Sequence, residues 1–311
     1  MKRLIYIISF VAIGLNSNAQ QLPQYSQYLF NQYAINPAVA GTKPYYDVRS
    51  NNRYQWIGIT DAPRTYTISL NGPSKNQKMG FGGLIYTDIV GPTRRIGGQI
   101  SYAYNIKITE KIKTSFGVSA GLSQWLVDGS KINLNNNNDA VLSGGLQSAI
   151  VPDAKFGIYV YEGTKWYFGV SAPNLLQSKL FFFNYQAQTL SQLEDHYFVN
   201  GAYKFDLGED FQLEPSFMVK YVRPAPLKID ATVRAIYKNT IWLGGGFRTN
   251  DAFFGMIGYM HKNNLSIGYS YDFTSTNLKH YSAGTHELML GIKFVRVEQR
   301  EDNGGEKSSL E

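Results

Sequence analysis

The chain has no cysteine, and charged side chains make up only 17% of its 311 residues. Without thiols it can form no disulfide or thiolate metal site, and it has no Cys for lipid attachment behind a leader. An ordinary soluble domain carries roughly 25% charged residues, so this chain has little with which to cover a water-exposed surface. Histidine is scarce: His196, His261, His280 and His286 lack metal-ligand spacing, and only His286 adjoins an acid, Glu287. No phosphate loop, paired-carboxylate motif or nucleotide fingerprint occurs, so neither a metal nor a cofactor is implied. Long apolar runs are missing beyond the N-terminus, and the mean hydropathy of −0.26 gives no sign of helical spans. Nor is there a basic block: the net charge of +7 is spread along the chain, which argues against a nucleic-acid partner. Interior positions and contacts with anionic headgroups of outer-membrane lipid and lipopolysaccharide account for such a spread.

What is present is aromatic and strand-forming: 23 Tyr, 18 Phe and 30 Gly. Lys2 and Arg3 precede an apolar run from Leu4 to Leu15, and Ser17-Asn18-Ala19 offers small residues for cleavage. Residues 1–19 read as a secretory signal peptide, which predicts an exported protein.

From residue 45 onward, fourteen strand-like segments alternate in polarity, near 45–56, 64–72, 79–88, 94–108, 111–127, 153–161, 164–172, 195–207, 211–222, 228–238, 240–249, 252–261, 264–273 and 284–296. Their lengths suit tilted crossings of a bilayer, and the even count suits a closed barrel with both termini on one side. Connections after even-numbered segments are short, such as Thr109-Glu110, Asn239 and Lys262-Asn263. Those after odd-numbered segments include 128–152, 173–194 and 274–283. Outer-membrane barrels sort their loops this way, with tight periplasmic turns and long extracellular loops. The two faces agree: in 94–108, Ile96, Ile100, Tyr102, Tyr104 and Ile106 oppose Arg95, Gln99, Ser101, Asn105 and Lys107. An all-β, transmembrane antiparallel barrel of about 14 strands is the expected fold, with a β-sandwich and a lipocalin-like barrel as soluble alternatives.

On this reading Glu214, Lys220, Asp230, Arg234, Arg248, Asp272, Glu287 and Lys293 point inward. Both signs are present, so the pattern predicts a neutralising lumen network rather than a selective solute path. Phe181-Phe182-Phe183 lies in a loop expected outside, where water penalises exposed rings; a protein partner would supply cover. "GVSAG" at 117–121 matches a serine-hydrolase pattern, but Ser119 falls inside an alternating strand with no helix after it. No enzyme is predicted. Residues 298–311 are charged and Gly-containing, as in a disordered periplasmic tail.

The stretch "LPQYSQYLFNQYAINPAVAGT", 22–42, resembles the start of the PorP/SprF family of Bacteroidota outer-membrane proteins. Pro23 to Tyr28, Phe30 and Asn31 fit its P-Q-[FY]-S-Q-Y-x-F-N stretch, and Ile35 to Ala38, Ala40 and Gly41 fit I-N-P-A-x-A-G. Arg53, Gln55, Trp56, Gly58 and Pro63 follow, with "PDAKFGIYVY", "WLGGGFR" and "GYSYD…GTHEL" further on. The resemblance implies a non-catalytic part of the type IX secretion system. Such a barrel binds and anchors a secreted cargo, a gliding adhesin, by its C-terminal type B signal domain, alongside translocon components. The alternative family role is a link to the periplasmic ring of the secretion and gliding machinery. A porin or hydrophobic-solute transporter is the rival of another class. The rings of Tyr25, Tyr28, Phe30 and Tyr33 need cover, so residues 20–44 are expected to plug the periplasmic mouth of a barrel formed by 45–297.

Overall fold

The computed structural model describes residues 22–132, 145–179, 193–222 and 225–296. The expected signal peptide, the tail and the Phe181–Phe183 cluster lie outside these residues.

The strands are β1 (Tyr45–Tyr54), β2 (Arg64–Pro73), β3 (Met79–Val90), β4 (Thr93–Lys107), β5 (Lys113–Asp128), β6 (Leu146–Glu162), β7 (Trp166–Ala172), β8 (His196–Tyr203), β9 (Phe205–Leu207), β10 (Phe211–Val222), β11 (Lys228–Tyr237), β12 (Ile241–Arg248), β13 (Ala252–His261), β14 (Leu265–Thr274) and β15 (Thr285–Arg296). Each pairs antiparallel with its neighbour in sequence, apart from the break between β8 and β9. β15 returns to β1 through Asp47↔Lys293 and Arg53↔Glu287, which closes the barrel. Closure removes every free strand edge, the requirement for a sheet that crosses lipid.

Fourteen crossings result, because β8 and β9 are two pieces of one strand. Both pair with β10 in one register, and between them the Lys204 N–H donates to the Lys165 carbonyl, which continues the β7–β8 pairing. β6 differs from expectation. It begins at Leu146 rather than near 153, so the preceding loop is shorter than 128–152. The ladder runs through Leu122↔Pro152 with pairs on either side. Proline removes one donor without breaking strand geometry, and the outward alternation of Leu146 and Ile150 continues across it.

Burial follows the period of two. In β4, Ile100 is 74% exposed, whereas its neighbours Gln99 and Ser101 are 7% and 9% exposed. The same apolar-out order holds in β15, where Leu288, Leu290 and Ile292 are exposed while Glu287 and Met289 are buried inside. This reverses a soluble protein and identifies lipid as the outer solvent. At one mouth the turns are tight. Lys238-Asn239 and Lys262-Asn263 both take positive φ, as two-residue type I′ hairpins require. The long connections meet at the opposite mouth.

A barrel of this size encloses more space than its own side chains fill. Residues 22–44 occupy it as a strap containing α1 (Gln32–Ile35) and a 3₁₀ turn at Pro37–Val39. Asn36 fastens that turn. Its side chain accepts from the Ala38 N–H at 2.9 Å and donates to the carbonyls of Ile158 and Val170 at 3.0 and 3.2 Å. The wall allows this approach because it lacks side chains there: a Cβ at Gly117 would strike the Ala38 backbone, and one at Gly80 the Ala40 carbonyl.

Candidate functional site

The strap and the lumen wall form one polar interior. Tyr25 reaches Thr67 on β2 at 2.6 Å, Tyr33 reaches Ser101 on β4 at 2.8 Å, and Tyr28 reaches Ser216 on β10 at 3.1 Å. Phe30 stacks on Trp242 of β12 with centroids 4.8 Å apart. Contacts with walls on opposite sides mean that the strap fills the cross-section rather than lining one wall. It also extends past the short-turn mouth. Ser26 lies among Arg53, Arg248, Asp272 and Glu287, all at the long-loop ends of their strands.

That cluster joins strap to barrel. The Glu287 carboxylate accepts the Ser26 N–H at 2.7 Å, the Gln27 N–H at 3.3 Å, Asn51 at 3.2 Å and Arg53 at 3.1 Å. Arg53 also donates to Asp272 at 2.7 Å, and Arg248 to Asp272 and Asp251, each at 3.1 Å. Arg248 lies 3.4 Å from Asp230, which pairs in turn with Lys220 at 2.7 Å. Arg53, Lys220 and Arg248 thus meet Asp230, Asp251, Asp272 and Glu287, three cations among four carboxylates. Every ion in the group has a partner, as burial demands.

The eight inward charges named from sequence are not all brought together. Lys220, Asp230, Arg248, Asp272 and Glu287 share this cluster. Glu214 and Arg234 form a separate pair nearer the short turns, with the Arg234 guanidinium 4.5 Å over the Phe30 ring. Lys293 stands apart, its ammonium 5.2 Å over Tyr45. Sequence reasoning left out Arg53 and Ser26, noted only as family positions, and the Asp47–Arg49 pair at 2.7 Å. The signal was available: in "DVRSNNR", Asp47, Arg49, Asn51 and Arg53 share the inward face of β1.

Among the described residues, Ser119 and the four histidines do not come together. Ser119 hydrogen-bonds Ser101 at 2.8 Å, with no histidine in that contact. Gly117 of the same motif has a packing role under the strap. His286 bonds Tyr269 at 2.6 Å, His196 contacts the Glu194 carbonyl, and His261 and His280 are exposed. No group of three metal-ligating side chains occurs among the described residues.

The strap leaves a cavity on each side. Toward the long loops it is about 90 Å³, bordered by Tyr25, Tyr86, Phe198, Met218 and Pro226. Toward the short turns lies a vestibule of about 1100 Å³.

Among solved structures, the chain is similar to the CymD monoaromatic hydrocarbon channel, with TM-score 0.51 and 10% identity over 87% of this chain and 94% of that one. The toluene transporter TbuX of Ralstonia pickettii follows with TM-score 0.49, 10% identity, and coverage of 85% and 93%. A Pseudomonas aeruginosa FadL homologue gives 0.45, 10%, 82% and 89%. At such identity only the fold is shared: this is an outer-membrane β-barrel. No curated protein matches. The model of the type IX secretion system membrane proteins PorP/SprF matches residues 17–292. The chain belongs to the PorP/SprF family of type IX secretion system membrane proteins.

Proposed function

We propose that this barrel is a non-catalytic holder of secreted cargo, binding a surface adhesin by its C-terminal domain at the long-loop mouth. Family membership supports a role in secretion. The observation that carries the reading is the strap. A lumen whose cross-section is filled by tethered, hydrogen-bonded chain suits a rigid platform better than a solute path. The long-loop mouth then faces outward and the short turns face the periplasm, the usual order for such barrels. Phe181, Phe182 and Phe183 provide the apolar anchor, since aromatic side chains dominate interface hot spots.

The base of that loop is a firm support. Leu193 packs with Val151 and Trp125, its N–H donates to the Ser178 carbonyl at 3.1 Å, and the Leu175 N–H donates to Ala154 at 3.0 Å. Replacing Phe181, Phe182 and Phe183 by serine leaves this base intact. Cargo should then be shed into the medium while barrel abundance in the outer membrane stays unchanged; deletion of 174–193 should do the same. Full retention of cargo on cells carrying either variant would refute the assignment.

A further inference from the structure

The charges at the two mouths are balanced differently. Around Ser26 each cation has a carboxylate. In the short-turn vestibule they do not match: Lys43, Arg49, Lys204, Arg234, Lys238, Lys262 and Lys293 line it, while Glu214 and the adjoining Asp47 and Asp210 are the carboxylates among them. Seven positive charges face three negative ones. Asp47 serves both Arg49, at 2.7 Å, and Lys43, at 3.6 Å, and Glu214 is taken by Arg234. The ammonium groups of Lys204 and Lys293 have no acid within ion-pair distance among the described residues. Lys204 sits at the break between β8 and β9, and Lys293 is on β15. The two come from different parts of the wall and face one space.

The rest of the wall is aromatic. Tyr159, Tyr161, Trp166 and Trp242 line the vestibule, and Tyr159 and Tyr161 lie 5.6 Å apart. The Trp242 indole N–H, in a side chain only 3% exposed, has no hydrogen-bond partner among the described residues. A buried donor left unpaired is costly, and a ligand acceptor would relieve it. The cavity therefore offers cations, an unpaired donor and flat aromatic faces.

We infer that the short-turn vestibule is a binding site for an acidic polypeptide segment that also carries aromatic or aliphatic side chains. Carboxylates spaced along an apolar chain meet Lys204 and Lys293 while rings stack on the tyrosines and Trp166. At about 1100 Å³ the space lies at the upper end of pockets built for one drug-sized molecule, roughly 300–1,000 Å³. The site rests on the cavity alone and is independent of cargo binding at the opposite mouth.

The test uses the full-length barrel purified in detergent and a fluorescein-labelled twelve-residue peptide of alternating Glu and Phe or Leu. Its Gln-for-Glu counterpart is the control, and fluorescence anisotropy is the readout. The acidic peptide should bind and weaken at least tenfold between 50 and 300 mM salt. It should also weaken at least tenfold in the Lys204→Gln/Lys293→Gln double variant, whose folding is checked by heat-dependent gel mobility. The control should not bind. Equal binding of both peptides, or unchanged affinity in a folded double variant, would overturn the inference. Oligogalacturonate and benzoate serve as competitors: stronger binding of the former would reassign the site to acidic glycans. Full displacement by benzoate at equal concentration would reduce it to a small-carboxylate pocket. Failure of both to compete is the result expected.

Discussion

Removing the Glu287 carboxylate should free the N-terminal strap without opening the barrel. The Glu287→Ala substitution leaves the N–H groups of Ser26 and Gln27, the Asn51 amide and one nitrogen of Arg53 without their acceptor. Glu287 is fully buried, so water does not readily replace it. Breaking a buried ion pair by removing one partner costs about 3–5 kcal/mol. Arg53 keeps Asp272 at 2.7 Å, which holds its share near the low end. The orphaned amides add about 1–3 kcal/mol each if they stay buried. They are relieved if the strap lifts away, so strap opening is where the cost is expressed. A bias of about 3–5 kcal/mol, at about 1.4 kcal/mol per decade, raises the open population by roughly two to three and a half orders of magnitude. Hydrogen exchange of the 22–42 peptides, read by mass spectrometry in detergent, should accelerate accordingly. Peptides from β4 to β6 should keep their protection. Glu287→Gln retains an acceptor and loses only the charge, so its effect should be several-fold smaller. Unchanged exchange in Glu287→Ala, with the barrel folded by gel mobility, would show that packing alone holds the strap.

Two further outcomes follow from the same geometry. Gly117→Val suits strand propensity but drives a branched side chain into the Ala38 backbone. It should raise strap exchange by at least tenfold, whereas Gly255→Ala, with open space beside it, should not; equal behaviour would refute close docking. Deleting 22–42 while keeping residues 1–21 should produce large, steady openings in planar bilayers that the intact protein does not show. Equal conductance in the two proteins would return the solute-transport reading to the front.

Much of the barrel was legible because its signals are local. Alternation across Ile100–Tyr104, tight turns such as Lys262-Asn263, and the parity of loop lengths are all properties of neighbouring residues. The errors have local causes as well. The sixth segment reads as starting near 153, since only the facing strand shows that pairing begins at Leu146 and continues through Pro152, and Lys204 gave no sign of splitting a strand. For the charges, alternation reported which side each residue faces but not its height along the barrel or its partner. Glu214 and Glu287 read alike in sequence, yet one pairs with Arg234 under a phenylalanine while the other receives the strap.

The sequence by itself determined the antiparallel barrel, its number of crossings, which face meets lipid, and membership of the PorP/SprF family. Those follow from period-two patterning, turn chemistry and short linear blocks, none of which requires distant contacts. Only the tertiary structure decided how the lumen is filled. Ser26 meets Glu287 across 261 residues of chain, and the Gly117 wall admits Ala38 only once β5 and the strap are in place. Closing fourteen strands creates an interior that no single strand encodes, and the buried charges there choose partners by proximity and desolvation. The same closure left Lys204 and Lys293 facing an open vestibule without carboxylates of their own.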